Sequence, residues 1–139
     1  MSGSWSLFQH GADIGVEGVG ATPSEAFANA GLALTAVVTD LSLVRSVETI
    51  DVLCEAPSLE LLFVDWLNAL IYQMATRRML FTRFDVHIDG VKLHAQVRGE
   101  TVDRERHQPA AEVKGATFTE LNVSRDAQGR WCARCVVDV

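Results

Sequence analysis

The spacing of apolar and polar residues changes several times along this chain, and each change marks an element. Residues 12–19 carry Ile14, Val16 and Val19 with Gly15 and Gly18, the pattern of a glycine-containing strand. Thr22-Pro23-Ser24-Glu25 then supplies a helix start. Thr22 caps, Pro23 fits the first helical position, and Glu25 completes a capping box. Phe27, Gly31, Leu34, Val38 and Leu41 follow at helical spacing, which predicts a helix over 23–38 with one buried stripe, ending near Thr39-Asp40.

A second strand is expected over 46–54, with Val47, Ile50, Val52 and Leu53. Ala56-Pro57-Ser58 breaks it and starts a helix with Glu60 in its first turn, running to Thr76. Leu59, Leu62, Phe63, Trp66, Leu67, Leu70, Ile71 and Met74 cover more than one narrow stripe, so this helix reads as largely buried. Then the period drops to two. Phe84, Val86 and Ile88 alternate with Asp85, His87 and Asp89; Asp89-Gly90 is a hairpin turn; Leu93, Ala95 and Val97 alternate with polar residues. Residues 99–111 read as a long polar loop. Residues 112–124 read as a strand whose apolar phase slips near Thr119-Glu120, the mark of a bulge. Asp126 to Gly129 turns the chain into a last strand, Trp131 to Val137. The summed pattern is α+β: a single domain over 1–139, with two helices packed on a mostly antiparallel β-sheet.

Composition narrows the class. Eighteen acidic residues against twelve basic ones give a net charge of −6, the opposite of the basic surface that displaces counterions from nucleic acid. Direct nucleic-acid binding is therefore not expected, although Arg98, Arg104, Arg106 and Lys114 leave room for a local basic strip. No apolar run reaches the roughly 18 residues of a membrane span. The first residues carry neither a basic patch nor a long apolar stretch, so the expectation is a cytoplasmic protein. Three cysteines are an odd count, which argues against a disulfide framework. Cys132 and Cys135 are spaced as C-x-x-C but fall on the last strand, where residues three apart face opposite sides, so they read as packed thiols.

Charged residues inside apolar strand ends carry the chemical signal. His10-Gly11-Ala12-Asp13-Ile14-Gly15 opens one strand and Val136-Val137-Asp138-Val139 closes another. A carboxylate in such a place is costly unless it is paired, hydrogen-bonded or bound to a cation. The pattern suggests that the two ends of the sequence meet. Asp13, Asp40 and Asp138 offer hard oxygen ligands suited to Mg²⁺ or Ca²⁺. Asp40 also reads as a cap at a helix end and Asp138 as a solvated terminus; spacing alone leaves both open. His10 is a ligand, a neighbour of the ligands, or a structural residue of the turn. Lys114 either pairs with Glu112 or reaches a phosphate or a partner carboxylate. Arg106 and His107, beside Asp103 and Glu105, read as a solvated charge cluster; His87 and His94 read as exposed. There is no Walker loop, no G-x-G-x-x-G, no H-E-x-x-H and no G-x-S-x-G, and no nucleophile stands beside an evident base.

Several segments, taken in order, give a more specific reading. They are His10-x-Ala12-Asp13-Ile14-Gly15, Thr22-Pro23-Ser24-Glu25-Ala26-Phe27, Val38-Thr39-Asp40, Leu61-Leu62-Phe63-Val64-Asp65-Trp66-Leu67-Asn68, Glu112-Val113-Lys114-Gly115 and Val137-Asp138-Val139. Together they resemble the archease family over nearly the whole chain. The resemblance implies an archease-like fold and an accessory protein, not an enzyme. It implies a partner, the RtcB-type RNA ligase, which joins a 3′-phosphate or 2′,3′-cyclic phosphate end to a 5′-hydroxyl end in tRNA splicing and RNA repair. It further implies that the factor promotes guanylylation of that ligase and its multiple turnover. Asp13, Asp40 and Asp138 match the family's divalent-metal aspartates, with Ca²⁺ or Mg²⁺ as the ion. Lys114 and His10 match positions implied to face the ligase or its phosphates. Gly11 stands where Thr is common and Gly115 where Ala is common, and neither change removes a charge. An alternative reading is a chaperone or modulator of RNA-modifying enzymes such as methyltransferases, working through an apolar surface. A stand-alone metal-dependent hydrolase is the third reading, and the missing nucleophile and base weigh against it. The oligomeric state is not legible.

Overall fold

The computed structural model describes residues 3–139. Its elements are β1 (Ser4–His10), β2 (Asp13–Gly20), α1 (Pro23–Val38), β3 (Glu48–Glu55), α2 (Leu59–Arg77), β4 (Met79–Asp89), β5 (Lys92–Thr101), α3 (Arg104–His107), β6 (Gly115–Ala116), β7 (Asn122–Arg125) and β8 (Trp131–Asp138). A 3-10 turn, Leu41–Leu43, follows α1. All strand pairs are antiparallel. One sheet has the order β1-β2-β8-β6, with β7 also paired to β8; the other has the order β3-β5-β4. Both long helices touch both sheets. The architecture is the expected α+β domain, with its antiparallel strands divided between two sheets.

Local chemistry starts both helices. Thr22 Oγ1 accepts from the Glu25 amide at 3.2 Å, and Pro23 is the first helical residue. Ser58 Oγ accepts from the Leu61 amide at 3.2 Å. The helices are joined through the core: Trp66 Nε1 donates to the Phe27 carbonyl at 2.9 Å, and the Phe27 and Phe63 rings meet edge-on at 5.0 Å. Trp66, Phe27, Phe63 and Phe81 are all fully buried. Gly18 lets α1 settle onto β2, because a Cβ there would run into the Ala26 carbonyl and the Ala30 amide.

Three expectations are corrected. Ser4–His10 is a strand, where the sequence pattern predicts no element. The predicted strand over 112–124 is two short ones, β6 and β7, separated by a turn in which Glu120 takes a left-handed φ of 57°. The apolar phase slip therefore marks a break in the strand and not a bulge. The predicted loop over 99–111 begins as strand, since β5 continues to Thr101, and it contains α3. Among the described residues, no helix is long and apolar enough to cross a membrane. Cys54, Cys132 and Cys135 are free thiols.

Candidate functional site

One end of the first sheet gathers the residues that the sequence singled out from both ends of the chain. The β1–β2 hairpin turns through Gly11, whose φ of 60° suits glycine, and this sets His10 opposite Asp13. Ile14 is the partner of Val137. One step further along both strands lie Asp13 and Asp138, and Asp138 is the partner of Gly115 on β6. His10, Asp13, Asp138 and Gly115 thus form a row across four strands. Residues opposite each other in an antiparallel pair share a face. The row lies on the face turned away from α1, in line with Phe8 and Gly15, where the Phe8 ring fills the space that a Gly15 side chain would need. The Arg134 guanidinium stacks on Phe8 at 4.1 Å and pairs with Glu17 and Glu120, which fixes the sheet next to the row.

Backbone hydrogen bonds close the row. The Val139 amide donates to Asp13 Oδ1 at 3.4 Å, and the Lys114 amide donates to the Asp138 carbonyl at 2.7 Å. His10, Lys114 and the Asp138 side chain are exposed, and Asp13 is half-buried. Lys114 forms no ion pair among the described residues, so the pairing with Glu112 does not occur, and Lys114 lies outside the regular strand. Sequence reasoning missed Asn68. This exposed residue of α2 accepts from the Ala116 amide at 2.9 Å through Oδ1 and so occupies the outer edge of β6. Asn68→Ala is expected to cost about 0.5–1.5 kcal/mol and to speed amide exchange at Ala116 and Gly115, measured by hydrogen-exchange NMR.

Asp40 is not part of this row. Its Oδ1 accepts from the Ser42 amide at 2.9 Å and from Ser42 Oγ at 2.8 Å, capping the 3-10 turn. These bonds hold its carboxyl below the usual range. Asp40 lines a groove with Trp5, Leu7, Leu43 and His107, along the free edge of β1. Among the described residues, no three His, Cys, Asp or Glu side chains gather closely enough to hold an ion. A short Asp followed two residues later by Ser satisfies its own turn in this way. Asp13 and Asp138 alone supply two hard oxygen donors, and a cation there needs its remaining ligands from water or a partner.

A buried polar centre holds the Asp40 segment. Glu100 on β5 is only 8% exposed. Its Oε1 accepts from Arg106 Nη2 at 2.6 Å, and its Oε2 accepts from the Arg45 amide at 2.8 Å and from His107 Nε2 at 2.9 Å. His107 Nδ1 accepts from the Asp103 amide at 2.8 Å, which leaves the ring proton on Nε2. Arg106 also donates to the Leu43 carbonyl at 2.6 Å, and Thr39 Oγ1 donates to the His107 carbonyl at 2.5 Å. The expected solvated charge cluster at Arg106 and His107 is thus corrected: these residues enclose Glu100, and His107 is 1% exposed.

The chain matches the model described as the "Archease protein family (MTH1598/TM1083)" over residues 5–139. It is 34% identical to "Protein archease" of Pyrococcus abyssi, across 97% of this chain and 98% of the relative. It is 35% identical to "Protein archease" of Pyrococcus furiosus, with the same coverage. Among solved structures it resembles the solution structure of Methanobacterium thermoautotrophicum protein 1598, with a TM-score of 0.85, 34% identity, and coverage of 98% of this chain and 99% of that one.

Proposed function

This chain belongs to the archease family, and from that premise we propose that it is a non-catalytic activator of an RtcB-type 3′-phosphate RNA ligase. It promotes guanylylation of the ligase and its multiple turnover in tRNA splicing and RNA repair. The observation that supports this most is the row of His10, Asp13 and Asp138 with Lys114 beside it. The row lies at a sheet end with His10 and Asp138 exposed and Asp13 half-buried, where it can enter a partner's cleft. Nothing in it pairs a nucleophile with a base, so it suits positioning better than turnover. Asp138 and Asp13 present negative charge to a cationic cleft, Lys114 presents a charge to phosphate, and fixing these groups in advance lowers the cost of assembling the ligase's reactive geometry. A divalent ion, Mg²⁺ or Ca²⁺, is proposed here as shared: Asp13 and Asp138 give two oxygens, and the ligase or GTP phosphates give the rest.

The modulator reading has one observation in its favour, the groove bordered by the exposed Trp5, Leu7 and Leu43. A single reconstitution separates the readings. Purified protein, a matching RtcB-type ligase, GTP, Mg²⁺ or Mn²⁺ and a cleaved RNA with 3′-phosphate and 5′-hydroxyl ends are combined. Ligase guanylylation and joined RNA per ligase are then counted. More than one turnover per ligase only when this protein is present is the expected result. Equal joining without it overturns the activator reading, and phosphoester cleavage without ligase establishes the hydrolase instead.

A further inference from the structure

The exposed face of the second sheet places two histidines directly opposite each other. His87 on β4 is the register partner of His94 on β5. Opposed side chains in an antiparallel pair have Cβ atoms about 4.5–5.5 Å apart. Both imidazoles are open to solvent, with side chains 75% and 54% exposed. Each ring has a carboxylate at the same nitrogen: His87 Nε2 lies 3.4 Å from Asp85 Oδ1, and His94 Nε2 lies 3.1 Å from Asp51 Oδ1. The His94–Asp51 contact is a hydrogen bond, and a carboxylate only accepts, so in the neutral His94 ring the proton sits on Nε2 and the lone pair on Nδ1. Carboxylates behind imidazoles in this way set the tautomer and orientation of metal-binding histidines. We propose that His87 and His94 form a two-imidazole site for a borderline divalent ion of the Zn²⁺ type, with Asp85 and Asp51 orienting the rings and water completing the coordination.

Neutral imidazole suits zinc and copper, whereas the all-oxygen Asp13–Asp138 edge suits magnesium and calcium. The two sites therefore differ in ligand chemistry and lie on different sheets, and this inference stands independently of the ligase reading. Because no three ligating side chains converge among the described residues, the site binds more weakly than a closed structural zinc centre and exchanges its ion readily.

The test is titration of the full chain with Zn²⁺ by calorimetry, alongside ¹H–¹⁵N spectra of the histidine rings. Saturable binding of about one ion per chain is expected, with the His87 and His94 ring signals moving first. His87→Ala and His94→Ala should each weaken binding by at least about tenfold, and Asp85→Asn or Asp51→Asn by up to about tenfold. All four side chains are exposed, so the variants keep the fold, and unchanged backbone spectra verify this. His10→Ala is expected to leave the affinity unchanged. Affinity unaffected by both His87→Ala and His94→Ala, or no saturable binding up to roughly 1 mM Zn²⁺, overturns the proposal.

Discussion

Asp138→Ala is expected to remove stimulation of the ligase while leaving the domain folded. The side chain is exposed, and the contact that Asp138 makes to its neighbour runs through its backbone carbonyl, accepting from Lys114. Truncation at Cβ therefore keeps β8 and β6 paired. What disappears is one of the two side-chain carboxylates, Asp13 and Asp138, that the row brings together. Removing a group that orients a shared ion or a phosphate costs about 10- to 100-fold, and the loss should appear as multiple-turnover joining falling toward the level without the protein. Asp13→Asn should fall in the same range. The double variant should fall by less than the product of the two, because neighbours acting on one target are not additive. Unfolding midpoints within a few degrees of the parent would exclude a folding defect. Full stimulation by Asp138→Ala with an unchanged midpoint would show that the row does not carry the activity.

Glu100→Ala is the variant expected to damage the fold most among those considered. Removing one member of a buried, hydrogen-bonded ion pair leaves the others uncompensated and costs about 3–5 kcal/mol. Here the orphans are the Arg106 guanidinium, the Arg45 amide and the His107 ring N–H. Urea unfolding should show a markedly lower midpoint. Glu100→Gln should be milder, since the amide oxygen keeps one acceptor while the amide NH₂ meets donors. A pH consequence accompanies this. The bond from Arg106, together with those from Arg45 and His107, outweighs burial and holds the Glu100 carboxyl down to about 2, from an ordinary 4.5. The folded value is the lower one, so the contribution of Glu100 is fully present above pH 4.5 and fades as pH falls toward 2. Stability of the parent measured across that window should fall more steeply than that of Glu100→Gln. Parallel curves would count against the assignment.

The long apolar patterns were the legible part of the fold. Both main helices, the β4–β5 hairpin and β8 follow from period and capping alone, because their apolar faces are wide and their first turns carry specific cap residues. β1 was not marked because it is an edge strand: Trp5 and Leu7 alternate correctly, but they stay 39% and 38% exposed, and Phe8 interrupts the alternation to cover Gly15 on the other face. The single strand expected over 112–124 fails at a turn with a left-handed glutamate; the apolar phase slip marks the place, but spacing alone does not separate a bulge from a break. In the site, the meeting of Asp13 with Asp138 was readable because isolated charges at apolar strand ends need an explanation. Asp40 carried the same signal, yet a neighbour two residues away answers it. Asn68 and Glu100 gave no signal. Asn68 sits on the wet side of a helix, and Glu100 stands at the border of a polar stretch. Only tertiary packing reveals that one occupies a sheet edge and the other is enclosed.

The pairing of β2 with β8 has a kinetic side. Val139 and Asp13 are 126 positions apart, and β8 follows every other element in the chain, yet it is the middle strand of its sheet. Until it docks, the β1–β2 hairpin has no second neighbour and α1 has an incomplete floor. Such distant contacts make for slow assembly, because a long segment must be closed before any strand pairing compensates for the ordering. The acidic row is complete only when the last strand of the chain has docked beside one of the first, so its geometry reports the closure of the whole domain.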